Sequence, residues 1–181
     1  MDAASERLAQ ASRVLVLGPP GSGKTRFAER LGAVLKLDVV HLDAHFWGPG
    51  WVPTPPDEWR RRVDELAREP AWIMDGTYER SLDLRVPAAD AVVSIESSRA
   101  GSLWRVIKRK LADGPARKDA PPGQPIDRAF LRYIWRYARD TQPLVDASLA
   151  GADCIRLRLK GPRHCRPVIA ELEQRNAVEV G

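Results

Sequence analysis

Apolar positions along the chain follow two periods. Short runs rich in Val, Ile and Leu fall at residues 13–17, 39–42, 71–74 and 91–95, each read as a buried strand. Residues 154–159 alternate apolar and basic side chains, which predicts a strand with one polar face. Between these runs the spacing turns helical. Phe27, Leu31, Val34 and Leu35 recur at i, i+4, i+7 and i+8, and Trp59, Val63 and Leu66 repeat the theme. So do Leu103, Val106, Ile107 and Leu111, then Phe130, Leu131, Ile134 and Tyr137, and finally Val168, Ile169 and Leu172. Thr54-Pro55-Pro56-Asp57 marks a helix start, with Thr54 as cap, running to about Arg68. Asp127 is placed to cap the helix that carries Phe130, where Trp135 is expected to pack. Residues 113–125, rich in proline, read as a mobile loop, and residues 1–12 carry no element. Strands alternating with helices predict one three-layer α/β domain over residues 1–181. Its core is a parallel sheet of about five strands covered by helices on both faces.

Composition narrows the setting. No apolar run approaches the ~20 residues of a membrane-spanning helix, and the first residues lack the pattern of a secretory signal. Cys154 and Cys165 show neither metal-ligand spacing nor a disulfide framework, so a reducing cytoplasm is the expected setting. The net charge of +5 is unevenly spread: residues 97–140 hold 11 Lys/Arg against 4 Asp/Glu. A basic segment of that kind suits a flap over a polyphosphate as well as a nucleic-acid surface.

The chemistry is concentrated just after the first strand. Gly18-Pro19-Pro20-Gly21-Ser22-Gly23-Lys24-Thr25 fits G-x-x-x-x-G-K-[ST], set between a strand and a helix. Glycines let backbone N–H groups turn inward around a polyphosphate, and the helix N-terminus adds its positive end. Lys24 is expected at the β- and γ-phosphates and Thr25 on Mg²⁺. Residues 71–76 run into Asp75-Gly76, an apolar strand ending in a carboxylate that holds Mg²⁺ directly or through water. Asp43 ends the second strand and is placed to meet a substrate. The loop after it holds Phe46, Trp47 and Trp51, of which the two tryptophans either stack on a planar ligand or cover the edge of the core, and a loop histidine, His45. Past Gly76, Tyr78 opens a segment in which Arg80 and Arg85 either clamp an acceptor or pair with acids. Arg105 and Arg109 share one helix face and can bracket a transferring phosphoryl group. Arg128, Arg132, Arg136 and Arg139 line the side of their helix opposite Phe130. No N-K-x-D guanine motif occurs.

With these motifs in order over about residues 13–140, the chain resembles the adenylate-kinase-like branch of P-loop kinases. More narrowly it is similar to the bacterial DNA topology modulation proteins, through GPPGSGKT, HLDAHFWGPGW, WIMDGTY and the Arg105-Val106-Ile107-Lys108-Arg109 helix. The resemblance implies a P-loop NTPase fold with an Arg-rich helical lid over about residues 99–140. It also implies a lid start at Arg105 and Arg109, with Arg132 and Arg136 as later lid arginines. Where adenylate kinases carry D-G-x-P-R, this chain has Asp75-Gly76-Thr77-Tyr78-Glu79, so Glu79 takes the arginine position and Arg80 follows it. The expected activity is ATP-dependent phosphoryl transfer to a small acceptor, a nucleoside or nucleotide, with Asp43 as base if the acceptor is a hydroxyl. The alternative is an ATP-binding regulator that contacts DNA, which the basic segment supports and the absence of a nucleic-acid motif opposes. The sequence leaves the oligomeric state open.

Overall fold

A computed structural model of the chain describes residues 3–111, 121 and 123–179. Five strands, β1 (Arg13–Leu17), β2 (Val39–His41), β3 (Trp72–Asp75), β4 (Ala91–Glu96) and β5 (Ile155–Lys160), form one parallel sheet. Their order is β2-β3-β1-β4-β5. Helix α1 (Ala3–Leu8) precedes β1, and α2 (Lys24–Leu35) links β1 to β2. Helices α3 (Leu42–Phe46) and α4 (Pro56–Arg68) link β2 to β3, and α5 (Leu82–Arg85) follows β3. Helices α6 (Arg99–Leu111), α7 (Arg128–Asp140) and α8 (Gln142–Leu149) lie between β4 and β5, and α9 (Pro162–Glu179) closes the chain.

The pleat of β1 shows how the layers form. Val14 and Val16 point to one face, where they pack with Phe27, Leu31 and Ile169 from α2 and α9. Leu15 and Leu17 point to the other, against Ala67 of α4, Leu82 of α5 and Val145 of α8. All four are within 1% of full burial, so β1 is the spine of a three-layer core. The chain moves to one side of β1 with β2 and β3 and to the other with β4 and β5. That arrangement opens a crevice at the carboxyl ends of the strands around β1.

Several sequence expectations change in detail. Residues 3–8 form α1, and Leu8 is fully buried against the sheet, so the opening of the chain is part of the core. The second strand stops at His41, and Asp43 sits in the first turn of α3. Thr54 does not cap α4. Its hydroxyl donates to the Phe46 carbonyl at 2.7 Å and so closes the preceding loop, leaving Pro55 at the cap. That loop is ordered by a bridge between Trp47 and Pro53 and a 3₁₀ turn at Pro49–Trp51.

On α6 only Ser102 and Val106 are buried, while Ile107 and Leu111 face outward. Trp135 is half exposed, with the Arg99 guanidinium 5.8 Å from its ring centre. Helix α8 follows α7 through Thr141 and had no distinct apolar signature. Most of the expected 113–125 loop lies outside the described residues. Among the described residues no helix is long and apolar enough to cross a membrane.

Removing the α1 anchor should be measurable. Leu8→Ala is expected to lower unfolding free energy by about 2–4 kcal/mol, read from the urea midpoint at unchanged slope.

Candidate functional site

Gly23 caps α2 with a left-handed backbone (φ 93°) and no side chain, and no acid occupies the first turn. The positive end of the helix therefore faces the loop, and no acidic side chain of its own first turn neutralises it. Two close approaches require glycine. A Cβ on Gly18 would lie 2.5 Å from the Ile95 carbonyl oxygen, and one on Gly21 (φ 78°) 2.6 Å from that of Ser102. The loop is thus seated between β4 and α6.

Thr77 fixes it from the third side. Its hydroxyl accepts from the Gly18 N–H at 3.1 Å, lies 3.0 Å from the Gly18 carbonyl, and lies 3.1 Å from the Tyr137 hydroxyl. Arg105 adds a fourth contact. It donates from Nε to the Gly21 carbonyl and from Nη2 to the Ser97 hydroxyl.

Above the loop lies a cavity of about 820 Å³. Gly18, Pro20, Gly21, Gly23, Lys24 and Thr25 line one end with Arg105 and Arg109. Asp43, Trp47, Trp51, Gly76 and Tyr78 line it as well, together with Glu79, Phe130 and Tyr133. Pro19 and Ser22 belong to the loop without lining the cavity; Ser22 is fully buried beneath it. Arg109 also donates to the Gln124 side chain at 3.1 Å. A second cavity of about 580 Å³ adjoins the first and shares Gly23, Arg26 and Arg105 with it; Phe27, Pro162, Cys165 and Ile169 give it an apolar side, and Arg30, Arg166 and Glu173 a charged one.

Asp75 ends β3 one residue before the cleft and is only 4% exposed. Its Oδ2 lies 3.3 Å from Nδ1 of His41, its partner in the β2–β3 register. Its Oδ1 is buried with no hydrogen-bond partner among the described residues. Such an oxygen is costly unless something cationic meets it. With the Thr25 hydroxyl lining the adjacent cleft, the donor set suits a hard divalent cation that takes the rest of its oxygens from phosphates and water. No cluster of three or more His, Cys, Asp or Glu competes as a metal site among the described residues.

At the opposite end, the Tyr78 hydroxyl donates to Oδ1 of Asp43 at 2.7 Å. Burial first, then the Asp43 charge and this bond, push the Tyr78 pKa well above the usual phenol value. Tyr78 adopts a left-handed backbone (φ 37°), uncommon for an aromatic residue. Arg85 holds it there. Fully buried, the guanidinium donates to the carbonyls of Gly76 (3.0 Å), Thr77 and Tyr78 (3.1 Å), to that of Ser81 and to the Ser81 hydroxyl. Burial lowers its pKa, a cost these acceptors offset. Phe46 packs within 5.0 Å of the Trp47, Trp59 and Tyr78 ring centres and so covers the core edge, whereas Trp47 and Trp51 face the cleft. His45 is half buried. Desolvation, then Arg62 and His41, lower its pKa.

Three expected acceptor-site arginines are elsewhere. Arg80 is exposed beside α5, its carbonyl taken by Arg60 at 2.9 Å. Arg132 and Arg136 are exposed too, and Arg136 pairs with Asp140 at 2.8 Å. The reason is helical phase: α7 turns Ala129, Phe130 and Tyr133 to the cleft and buries Ile134 and Tyr137. Its capping residue is Asp127, as expected, accepting from the Phe130 N–H at 2.7 Å.

Several solved structures superpose on this chain over nearly its whole length. A shikimate kinase from Acinetobacter baumannii superposes with a TM-score of 0.58 at 15% identity, covering 97% of this chain and 98% of that one. A gluconokinase from Sinorhizobium meliloti 1021 gives 0.53 at 14%, covering 94% and 98%. A deoxyadenosine kinase from M. mycoides gives 0.52 at 10%, covering 93% and 100%. The chain has the fold of a P-loop kinase. No protein-family model and no curated protein matches the sequence, so the narrower likeness to DNA topology modulation proteins gains no support.

Within the P-loop kinase fold, His41, Thr77 and Tyr133 were not singled out from sequence, and Arg85, expected to clamp an acceptor or pair with acids, instead serves backbone carbonyls and Ser81 beneath the cleft. The one available signal was position, since Thr77 directly follows the strand-end Asp75-Gly76 and His41 ends the neighbouring strand.

The buried guanidinium offers a direct check. Arg85→Met should lower unfolding free energy by on the order of 3 kcal/mol, because it leaves buried carbonyls without donors. Urea titration followed by tryptophan fluorescence would read the loss.

Proposed function

We propose that this chain is an ATP-dependent phosphotransferase that moves the γ-phosphoryl group of ATP to a small acceptor, of the kind used by nucleoside and nucleotide kinases. The observation that carries the reading is one cleft shared by the phosphate loop, Arg105, Arg109 and Asp43. A P-loop alone serves many NTPases, but a carboxylate and a walled space opposite it serve transfer to a second molecule.

In this reading the loop amides and Lys24 hold the β- and γ-phosphates, and the adjoining cavity by Pro162 takes the base and ribose. Mg²⁺ on Thr25, with Asp75 behind it, would neutralise phosphate charge. Arg105 and Arg109 stabilise the charge that spreads over the transferring oxygens. For a hydroxyl acceptor, Asp43 accepts the proton as the oxygen bonds to γ-phosphorus and the β–γ bridge bond breaks, releasing ADP. Tyr78 keeps the Asp43 carboxylate oriented, and the aromatic wall excludes water that would otherwise hydrolyse ATP. The similar structures support this use of the fold by their names, which are those of kinases acting on gluconate, shikimate and deoxyadenosine.

Lys24→Ala and Arg105→Ala are each expected to reduce kcat roughly 100- to 1,000-fold in a coupled ADP-release assay. Full phosphotransfer by Lys24→Ala would rule the assignment out. Calorimetry with ATP and magnesium should give measurable heat with the unaltered protein. Asp43→Asn should keep that heat and lose turnover if the acceptor is a hydroxyl.

A further inference from the structure

Where the phosphate loop leaves the sheet, a side chain takes over from the backbone ladder. β1 and β3 pair in parallel as far as Val16 and Asp75, and the Gly76 N–H still donates to the Val16 carbonyl at 3.2 Å. Extended by two residues, that register sets Gly18 beside Thr77. Gly18 has by then turned out of the strand, with a backbone angle (φ 151°) that side chains rarely adopt. The Thr77 hydroxyl fills the gap, 3.1 Å from the Gly18 nitrogen and 3.0 Å from the Gly18 oxygen. One oxygen atom thus grips the peptide groups on both sides of the Gly18 Cα. Glycine is the residue freest to drift from such a setting, so the grip has most effect there.

A hydroxyl offers one proton and two acceptor lone pairs, and here all are used. The Thr77 proton goes to the Gly18 carbonyl, and one lone pair takes the Gly18 N–H. The other faces the Tyr137 hydroxyl at 3.1 Å, so the phenol is the donor. Burial first pushes the Tyr137 pKa up, to about 12, and the phenol keeps that proton at neutral pH. Tyr137 has a fixed place on the buried side of α7, with the Tyr133 ring edge-on at 5.9 Å. Thr77 and Tyr137 are 5% and 4% exposed, and polar groups so buried are costly unless their bonds are made. Thr77 lines the cleft, yet its hydroxyl is spent within the protein. It acts on a ligand through the loop and not by contact.

We propose that Thr77 and Tyr137 are positioning residues for ATP. The Thr77 hydroxyl locks the Gly18 peptide in the setting from which the loop cradles phosphates, and the Tyr137 phenol acts through Thr77 by holding that hydroxyl in place. The inference rests on the phosphotransferase reading above in taking ATP as the ligand of the loop. Without the hydroxyl, the loop keeps its glycines but spends part of its time in other settings, and affinity falls by the fraction lost. Valine at position 77 keeps the shape and deletes the hydroxyl, whereas serine keeps the hydroxyl.

The test is calorimetry with ATP and magnesium on the full chain, each protein held well below its melting temperature. No heat from the unaltered protein removes the phosphotransferase reading and this inference with it. Where ATP binds, Thr77→Val is expected to weaken it about tenfold, and Thr77→Ser to stay within about twofold of the unaltered protein. Unchanged ATP affinity in Thr77→Val, whatever its melting temperature, means a merely structural hydroxyl and overturns the inference while sparing the reading. Thr77→Ser as weak as Thr77→Val overturns it as well, because shape and not hydrogen bonding would then decide. Tyr137→Phe should weaken ATP about threefold by itself and less than about 1.5-fold on top of Thr77→Val, since its hydroxyl acts through Thr77. Equal weakening in both backgrounds overturns the role given to Tyr137. If Thr77→Val does not fold, Tyr137→Phe decides alone: threefold weakening supports the inference, and unchanged affinity overturns it.

Discussion

The site depends on how tightly the phosphate loop is hemmed in. Gly18 lies against the β4 carbonyl of Ile95 and Gly21 against the α6 carbonyl of Ser102, each too close for a Cβ. Thr77 ties the Gly18 peptide to the end of β3 through both its N–H and its carbonyl. The loop's shape is therefore set by neighbouring strands and a helix, not by the glycines alone. Glycine supplies the permission, and the packing supplies the conformation.

The same economy appears at the other end of the cleft. Tyr78 holds an uncommon backbone angle because Arg85 gathers the carbonyls of residues 76–78 from below and Asp43 accepts the phenol from above. A fully buried arginine is expensive unless its donors are used, and here five polar atoms use them. Residues far from one another in sequence thus share one polar network, with the phosphate loop at one end and the candidate base at the other.

Much of this was legible from the sequence. The strands around β1 are continuous apolar runs because both faces are covered, and the P-loop follows directly from strand, glycines and helix. Asp75 was legible as a strand-end carboxylate, and Asp43 as a cleft carboxylate, although it belongs to the first turn of α3 and not to the end of β2. What could not be read was orientation that depends on tertiary packing. Arginines at 132 and 136 share the helix with Phe130 and Tyr133, but only the packing of α7 decides that the aromatic side meets the cleft. Leu8 lacked periodic neighbours, so its burial against the sheet left no trace in a pattern search. Arg85 was equally opaque, since a guanidinium beneath a backbone loop has the same sequence signature as one in solvent.

Under the phosphotransferase reading, the Thr77 bridge would also limit how two reactants approach each other. Because it fastens the turn after β1 to the turn after β3, the floor beneath both molecules behaves as a single block. Relative motion between a donor and an acceptor would then come from the walls above, where Arg105 of α6 and Tyr133 of α7 line the cleft. In mechanical terms the fold supplies a fixed anvil, and a stroke would be delivered from the helical side.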